Sequence, residues 1–424
     1  MSCQISVLVI GAGNRGQNYA SYALHYPARM KVIGVADPRA FARKALQEAH
    51  KIDKDNVFDD WRPAAEREKF ADAVIIATPD RLHKAPAVAF AQKGYHILLE
   101  KPMAVTPEDC KEIVRASKAS NIILAVCHVL RYYPVALKIK EVLDSKLIGD
   151  ICHIQHLEPV GFWHFAHSFV RGNWRNEGES SFSLLAKSCH DVDLINFWMG
   201  GKRCLKISSF GNLSHFTKEH KPEGAASRCL DCSIEQTCPY SARKIYLKLG
   251  EEGYFRWPVS VVCSNGQSDI ESLTKALKDG PYGRCVYDCD NDVVSNQVVN
   301  MEFEGGATAA FTMIAFTEKL GVRKTTIYGT KGELNCEGSG PVEVFDFLQQ
   351  KKIIFSPETA PCVPESLGAH NGADYYLIES FVSAVAENNP SLIQTGAEET
   401  LNSHLLVFEA ERSRREKRVV FLET

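Results

Sequence analysis

The chain has 424 residues, 45% of them hydrophobic and 24% charged, with a formal net charge of −3. One hydrophobic core rarely organises so long a chain, so two domains are expected. The balanced charge and the lack of a basic stripe argue against nucleic acid as a partner. With no run of about eighteen apolar residues and no cationic, signal-like leader, no membrane partner is expected and a cytoplasmic location is read.

Near the start, Val7-Leu8-Val9-Ile10 leads into Gly11-Ala12-Gly13-Asn14-Arg15-Gly16, and the next apolar run, Val32 to Ala36, ends on Asp37, twenty-one residues after Gly16. This is a dinucleotide-binding fingerprint in its strand–turn–helix context. Gly11 permits the tight turn, Gly13 lets a pyrophosphate approach bare backbone, and Gly16 lets the helix pack on the sheet. The helix beginning at Asn14 and Arg15 turns its N-terminus toward the phosphates. Asp37 is placed to accept hydrogen bonds from the adenosine ribose and to repel a 2′-phosphate. NAD is therefore expected over NADP, although Arg15 and Arg39 could reach such a phosphate were Asp37 turned away.

Strands are predicted at Ile5–Ile10, 31–36, 73–77, His96–Leu99 and 122–126, with helices beginning near Asn14, Arg39, Leu82 and Thr106. This alternation gives a parallel sheet covered on both faces, a Rossmann domain over residues 1–130. Thr106-Pro107-Glu108-Asp109 reads as an N-cap, a first-turn proline and two acids at the positive end of a helix.

After Arg131 the strands lengthen and become amphipathic, at Ile151–Pro159, 205–211 and 298–304, with a turn at Gly305-Gly306 into 308–313. An α+β domain with a large, mostly antiparallel open sheet is expected over 131–424. Helical spacing marks 374–387 and 398–414. The stretch from about His215 to Asp292, rich in cysteine, glycine and proline, reads as an insertion on this domain.

Two further strand ends carry polar groups: Ala77-Thr78-Pro79 followed by His83, and Glu100-Lys101-Pro102. Ligands of open parallel sheets bind at the carboxyl ends of the strands, so Thr78, Pro79, His83, Glu100 and Lys101 should border the nicotinamide. Together with the glycine turn and Tyr328-Gly329-Thr330-Lys331-Gly332, these motifs resemble the glucose-fructose oxidoreductase and inositol dehydrogenase (Gfo/Idh/MocA) family nearly end to end. The resemblance implies an NAD-dependent oxidoreductase acting on a carbohydrate or cyclitol hydroxyl. It also implies a homodimer or homotetramer built through the open sheet.

The family pattern further implies an aspartate and, four residues later, a histidine facing the nicotinamide. In Leu185-Ala186-Lys187-Ser188-Cys189-His190-Asp191-Val192-Asp193, His190 matches the histidine, but Ala186 stands where the aspartate is usual. Lys187 and Asp191 or Asp193 are candidates for the missing charge; on a continuous helix, Ala186, His190 and Asp193 share one face. The resemblance thus implies Lys101 and His190 as catalytic residues, with His190 or Lys101 taking a hydroxyl proton as hydride leaves, and Lys187 joins them as a catalytic candidate through the departure at Ala186. From the residues alone, His190 reads more readily as a core histidine satisfied by a helix carbonyl or by Asp193. Arg131, Trp163, His164, Trp174, Arg175 and Asp191 are candidate sugar contacts. An alternative chemistry is an NAD-dependent glycosidase that oxidises the sugar transiently, eliminates the aglycone and returns the hydride. A non-catalytic nicotinamide-binding scaffold is the third reading.

Fourteen cysteines are present. Cys3, Cys110, Cys127, Cys152 and Cys189 are scattered in apolar or helical surroundings, where free thiols are expected. Cys229-Leu230-Asp231-Cys232, followed by Cys238-Pro239, is denser and has the spacing of metal ligands. Structural zinc held by Cys229, Cys232, Cys238 and His215 is expected, with His220, Cys263, Cys285 and Cys289 as other fourth ligands. Iron–sulfur ligation, a redox pair and unligated thiols remain open.

Overall fold

The computed structural model describes residues 4–263, 269–357 and 363–422; Cys3 lies outside them. Six strands, β1 (Ile5–Ile10), β2 (Met30–Ala36), β3 (Val57–Phe58), β4 (Ala73–Ile76), β5 (His96–Leu99) and β6 (Leu124–Val126), form one sheet in the order β3-β2-β1-β4-β5-β6. Every pairing in it is parallel. Alternate side chains enter different cores: Leu8, Ile10, Val74 and Ile76 pack into one hydrophobic cluster, and Val7, Val9 and Ile75 into another. Burial on both faces explains why these strands read as continuous apolar runs. The strand order reverses between β1 and β4, where a doubly wound sheet opens its ligand crevice.

The strands predicted at Ile5–Ile10 and His96–Leu99 have the observed bounds. The sixth is shorter than predicted, because Asn121 sits at φ 48° and pairing begins only at Leu124. The two-residue β3 is too short to leave a periodic signal. Helix Pro107–Ala119 begins as anticipated, with Thr106 Oγ1 accepting from Asp109 N at 3.2 Å.

The second sheet has nine strands: β7 (Ile151–Pro159), β8 (Cys204–Asn212), β9 (Asn296–Phe303), β10 (Thr308–Ile314), β11 (Lys324–Gly329), β12 (Gly332–Glu337), β13 (Val342–Asp346), β14 (Lys351–Phe355) and β15 (Val420–Phe421). Their order is β14-β13-β12-β11-β7-β10-β9-β8-β15, and only the β7–β10 pairing is parallel. The segment Tyr328 to Gly332 turns β11 into β12 and clamps the start of β7. Thr330 Oγ1 accepts from Asp150 N at 3.0 Å, and Lys331 N donates to Ile148 O at 2.9 Å. One hydrophobic cluster runs from Val9 and Ile75 to Ile154, Phe311 and Ile327, so the two sheets share a continuous core.

The region from His215 to Asp292 carries more order than its composition foretells. Helix Ile270–Asp279 is capped by Asp269, which accepts from Ser272 N at 2.7 Å. Tyr246, Val259, Leu273 and Leu277 make a separate small core, against which Trp163 packs. Among the described residues, no helix is long and apolar enough to cross a membrane.

Removing the Thr106 cap by Thr106→Ala should lower stability by about 1 kcal/mol in thermal or denaturant unfolding, with Thr106→Ser nearly neutral. Equal stability of all three proteins would contradict the cap.

Candidate functional site

The turn after β1 is fixed by backbone crowding. A Cβ on Gly11, at φ +93°, would lie 2.4 Å from Ala77 O, and one on Gly16 would lie 1.9 Å from Gly11 O. A Cβ on Gly13 would meet only the Arg39 guanidinium, at 3.4 Å. Thus two glycines are required by the protein's own packing, whereas Gly13 opens onto space at the N-terminus of helix Asn14–His25. Asp37 is 3% exposed and accepts from Ala12 N at 2.7 Å and from Arg39 N, Nε and Nη2 at 2.8, 3.0 and 2.8 Å. Burial alone would raise its carboxyl; these hydrogen bonds outweigh burial and hold it below the usual carboxylate range.

Arg15, anticipated beside the phosphates, turns its guanidinium inward. Nε reaches Glu100 Oε1 at 2.6 Å, Nη1 reaches Asp374 Oδ2 at 2.6 Å, and Nη2 meets Tyr19 Oη. Glu100 also accepts from Tyr19 Oη at 2.9 Å and from Lys101 N at 2.9 Å. Its carboxyl is therefore spent on locking the chain at Lys101. Burial opposes its ionisation, but the Arg15 charge keeps it below the usual range. His83 spans the carbonyls of Pro102 and Thr78, each at 2.7 Å, and joins the ends of β4 and β5. The Thr78 hydroxyl is buried and has no partner within the protein, while Pro79 is exposed beside it.

Lys101 Nζ donates to Ala186 O at 2.7 Å. The continuous helix anticipated through His190 is broken: Ser183–Ala186 and Cys189–Trp198 are separate segments, with a kink at Lys187 and Ser188. The shared face of Ala186, His190 and Asp193 is therefore not the organising geometry. Asp193 forms a buried bidentate pair with Arg131, both contacts at 2.7 Å. Lys187 Nζ lies 3.2 Å from Glu158 Oε1, and Asp191 accepts from Arg323 Nε at 2.6 Å and contacts His156 Nε2 at 3.1 Å. Arg323 also pairs with Glu158, at 3.0 Å.

His190 is 5% exposed, with Nδ1 unpartnered in the protein. Its ring centroid lies 5.3 Å from that of His128 and 6.2 Å from that of His370. Burial, then the Lys101 charge, depresses it well below the ordinary histidine value, so it is a neutral imidazole. His128, at the end of β6, is wholly buried with neither ring nitrogen partnered. His370 Nδ1 donates to the ionised Asp374 Oδ1, 3.0 Å away. Sequence reasoning passed over His128 and His370 as site residues. The first had a signal in its strand-end position; the second sits in a short irregular segment with none.

The other candidate contacts are dispersed. Trp174 Nε1 donates to buried Asp80 at 3.1 and 3.3 Å, and Ser180 and Ser181 hydroxyls reach the same carboxylate. Arg175 pairs with Asp290 and Glu179 on the exterior. Trp163 and His164 ring centroids lie 5.5 and 5.3 Å from that of Trp257. Burial, then Lys187, holds His164 well below the usual histidine range.

Among the described residues, every cysteine is free. The zinc set anticipated from sequence is not assembled as read: Cys229, Cys232, Cys238 and His215 supply no three ligand atoms within 4.8 Å of one another. His215 Nε2 instead meets Tyr287 Oη at 3.1 Å, and Arg171 Nη2 intrudes on Cys229 Sγ at 3.3 Å. The group that does satisfy that distance, among the described residues, is His128, Cys189 and His404. It does not fit a metal. His404 Nε2 accepts from Met103 N and Nδ1 donates to Thr400 O, each at 3.0 Å, so neither nitrogen is available.

Residues 5–141 match the model of an oxidoreductase family with an NAD-binding Rossmann fold, and 140–422 match that family's C-terminal alpha/beta domain. The chain is 27% identical over 376 residues to the putative oxidoreductase YteT of Bacillus subtilis, covering 84% of this chain and 82% of that protein. It is 32% identical over 157 residues to levoglucosan dehydrogenase of Pseudarthrobacter phenanthrenivorans, 35% of this chain and 39% of the relative. A solved levoglucosan dehydrogenase in complex with NADH superposes with a TM-score of 0.70 at 17% identity, covering 99% of this chain and 100% of that one. A match of 28% over 195 residues links it to 2,7-anhydro-N-acetylneuraminate hydratase of Mediterraneibacter gnavus, 46% of this chain and 49% of the relative. The chain thus spans half or less of the latter two curated relatives.

Burial lowers His128 to about 4 and His404 to about 3. Because these folded values lie below the unfolded value of roughly 6.5, the unfolded chain binds protons first as pH falls. Stability present above about pH 6.5 should therefore be lost toward pH 4, by about 1.4 kcal/mol per pH unit for each histidine. Calorimetry should show Tm falling from pH 7.5 to 5, less steeply in His404→Gln; a flat profile would contradict buried neutral imidazoles.

Proposed function

The chain belongs to the Gfo/Idh/MocA oxidoreductase family, and from that premise we propose that it is an NAD-dependent enzyme moving hydride between a carbohydrate or cyclitol hydroxyl carbon and nicotinamide. The observation that carries the reading is a set of buried polar atoms left without protein partners: Thr78 Oγ1 beyond the end of β4, and His190 Nδ1 and both His128 nitrogens, on rings that feel the Lys101 charge. Buried polar atoms are rarely left unsatisfied without a ligand or water to meet them. Bound nicotinamide supplies the hydride acceptor. The domain division near residue 130 would give cofactor binding to the first unit and substrate binding and subunit contact to the second.

Asp37 is the expected ribose acceptor, and its charge favours NAD over NADP. Gly13 leaves the approach for the pyrophosphate. Lys101, oriented by Glu100 and by Ala186 O, places a cation where an alkoxide develops. His190, kept neutral, takes the hydroxyl proton in oxidation and returns it in reduction. Lys187 is held by Glu158, and its charge sets the field at the same end of the site. Trp163 and His164 border the approach. A homo-oligomer is proposed through the second sheet, whose strands expose Phe210, Tyr328, Phe345, Ile354 and Phe421. A cytoplasmic setting accompanies this reading.

A second reading is kept by one substitution. Ala186 offers Lys101 a carbonyl in place of a carboxylate, and the hydratase relative is named for a reaction without net oxidation. Transient oxidation followed by elimination and hydride return would use the same residues.

Lys101→Ala and His190→Ala should each lower turnover by roughly 10²–10⁴ while NADH affinity, read by fluorescence, stays within a few fold. Undiminished turnover removes that residue from proton transfer. NADH should bind more tightly than NADPH, and the reverse would overturn the role given to Asp37.

Gly13→Ala should weaken NADH at least about tenfold, about 1.4 kcal/mol, without a comparable loss of stability. Equal affinity would show that the cofactor does not approach this backbone.

A further inference from the structure

Away from the strand ends, a second polar centre lies in the insertion. Arg171 is 1% exposed, yet among the described residues no carboxylate lies within salt-bridge distance of it; the nearby Asp290 is engaged by Arg175 and Arg284. Arg171 Nε donates to Arg284 O and Nη2 to Tyr240 O, both at 2.8 Å, and Nη2 also approaches Cys229 Sγ at 3.3 Å. Nη1 is buried without a partner. A guanidinium cannot shed its proton, so this is a buried positive charge satisfied only by neutral carbonyls and a thiol. Such a charge is costly unless an anion meets it.

The same cavity is lined by Arg171, Cys229, Cys232, Cys238 and Cys285. The chain holds the fourth cysteine against the first. Arg228 and Arg284 form an antiparallel bridge, Cys285 N donates to Ser227 O at 2.8 Å, and Cys229 Sγ approaches Arg284 O at 3.8 Å. Cys289 turns its thiol to Cys285 O at 3.3 Å and does not line the cavity, while His215 is engaged by Tyr287. This separates Cys285 from the other fourth-ligand candidates.

We propose that Cys229, Cys232, Cys238 and Cys285 bind one zinc ion as four thiolates, and that the resulting anionic centre is the counter-charge for Arg171. Each thiol loses its proton to solvent as its sulfur bonds to the cation, with no change of oxidation state. Because no three of these sulfurs now stand within 4.8 Å of one another, binding requires them to draw together, as metal binding coupled to folding does. Tetrahedral coordination by cysteine is the ordinary structural use of zinc. The centre would tie the loop bearing Cys229 to Cys238 onto the strand-like segment at Cys285, and so fix the small core that backs Trp163.

The test is elemental analysis of full-length protein expressed with zinc and purified without chelator. One zinc per chain is expected, retained in Cys289→Ser and lost by at least about tenfold in Cys285→Ser and Cys238→Ser. As a readout independent of how the variants fold, cobalt is also exchanged into the wild-type chain, where a thiolate-to-cobalt charge-transfer band is expected. Zinc-free wild type without that band, iron in place of zinc, or full zinc retention in Cys285→Ser would each overturn the assignment. NADH binding measured on the same samples reads the nucleotide site separately.

Discussion

One guanidinium ties together the parts that must meet for this site to exist. Arg15 leaves the first turn of the first helix and pairs with Glu100 at the end of β5 and with Asp374 at the start of helix Ala373–Glu387. These residues are separated by up to 359 positions in sequence. Breaking a buried pair strands the remaining charges, at a cost of roughly 3–5 kcal/mol. Glu100 in turn holds Lys101 N, and Lys101 reaches across to Ala186. The position of the ammonium is therefore set from both sides, by a carboxylate behind it and a carbonyl in front.

The electrostatic consequence is a site with one directed cation among neutral imidazoles. Lys101 has no carboxylate within salt-bridge distance among the described residues, whereas Lys187, Arg131 and Arg323 are each matched to buried carboxylates. His190 and His128 are pushed toward neutrality by burial. A neutral base beside an unmatched cation suits removal of a proton from an alcohol and stabilisation of the oxygen left behind.

The glycine turn, the strand-end motifs and the alternation of the first sheet were legible because each is a local pattern with a local cause: crowding at Gly11 and Gly16, burial on both sheet faces, a side-chain cap at Thr106. What the sequence concealed depends on distant pairing. Arg15 looked like a phosphate contact because it sits in the fingerprint, and only tertiary structure reveals Asp374 as its partner. The kink at Ser188 undid an argument from helical spacing. Arg131 looked like a sugar ligand by its strand-end position, but a buried Asp193 claims it. The cysteine spacing offered Cys285 as one of several further ligands, and its place in the cavity of Cys229, Cys232 and Cys238 follows from a bridge between Arg228 and Arg284 that no periodicity announces.

The most direct measurement is a panel of sugars, cyclitols and aryl glycosides incubated with the protein and NAD, following reduced nicotinamide and released aglycone in the same wells. Net NADH is expected with at least one polyol or sugar, and is lost in Lys101→Ala. Aglycone release without net NADH would contradict net oxidation and transfer the same residues to the elimination chemistry.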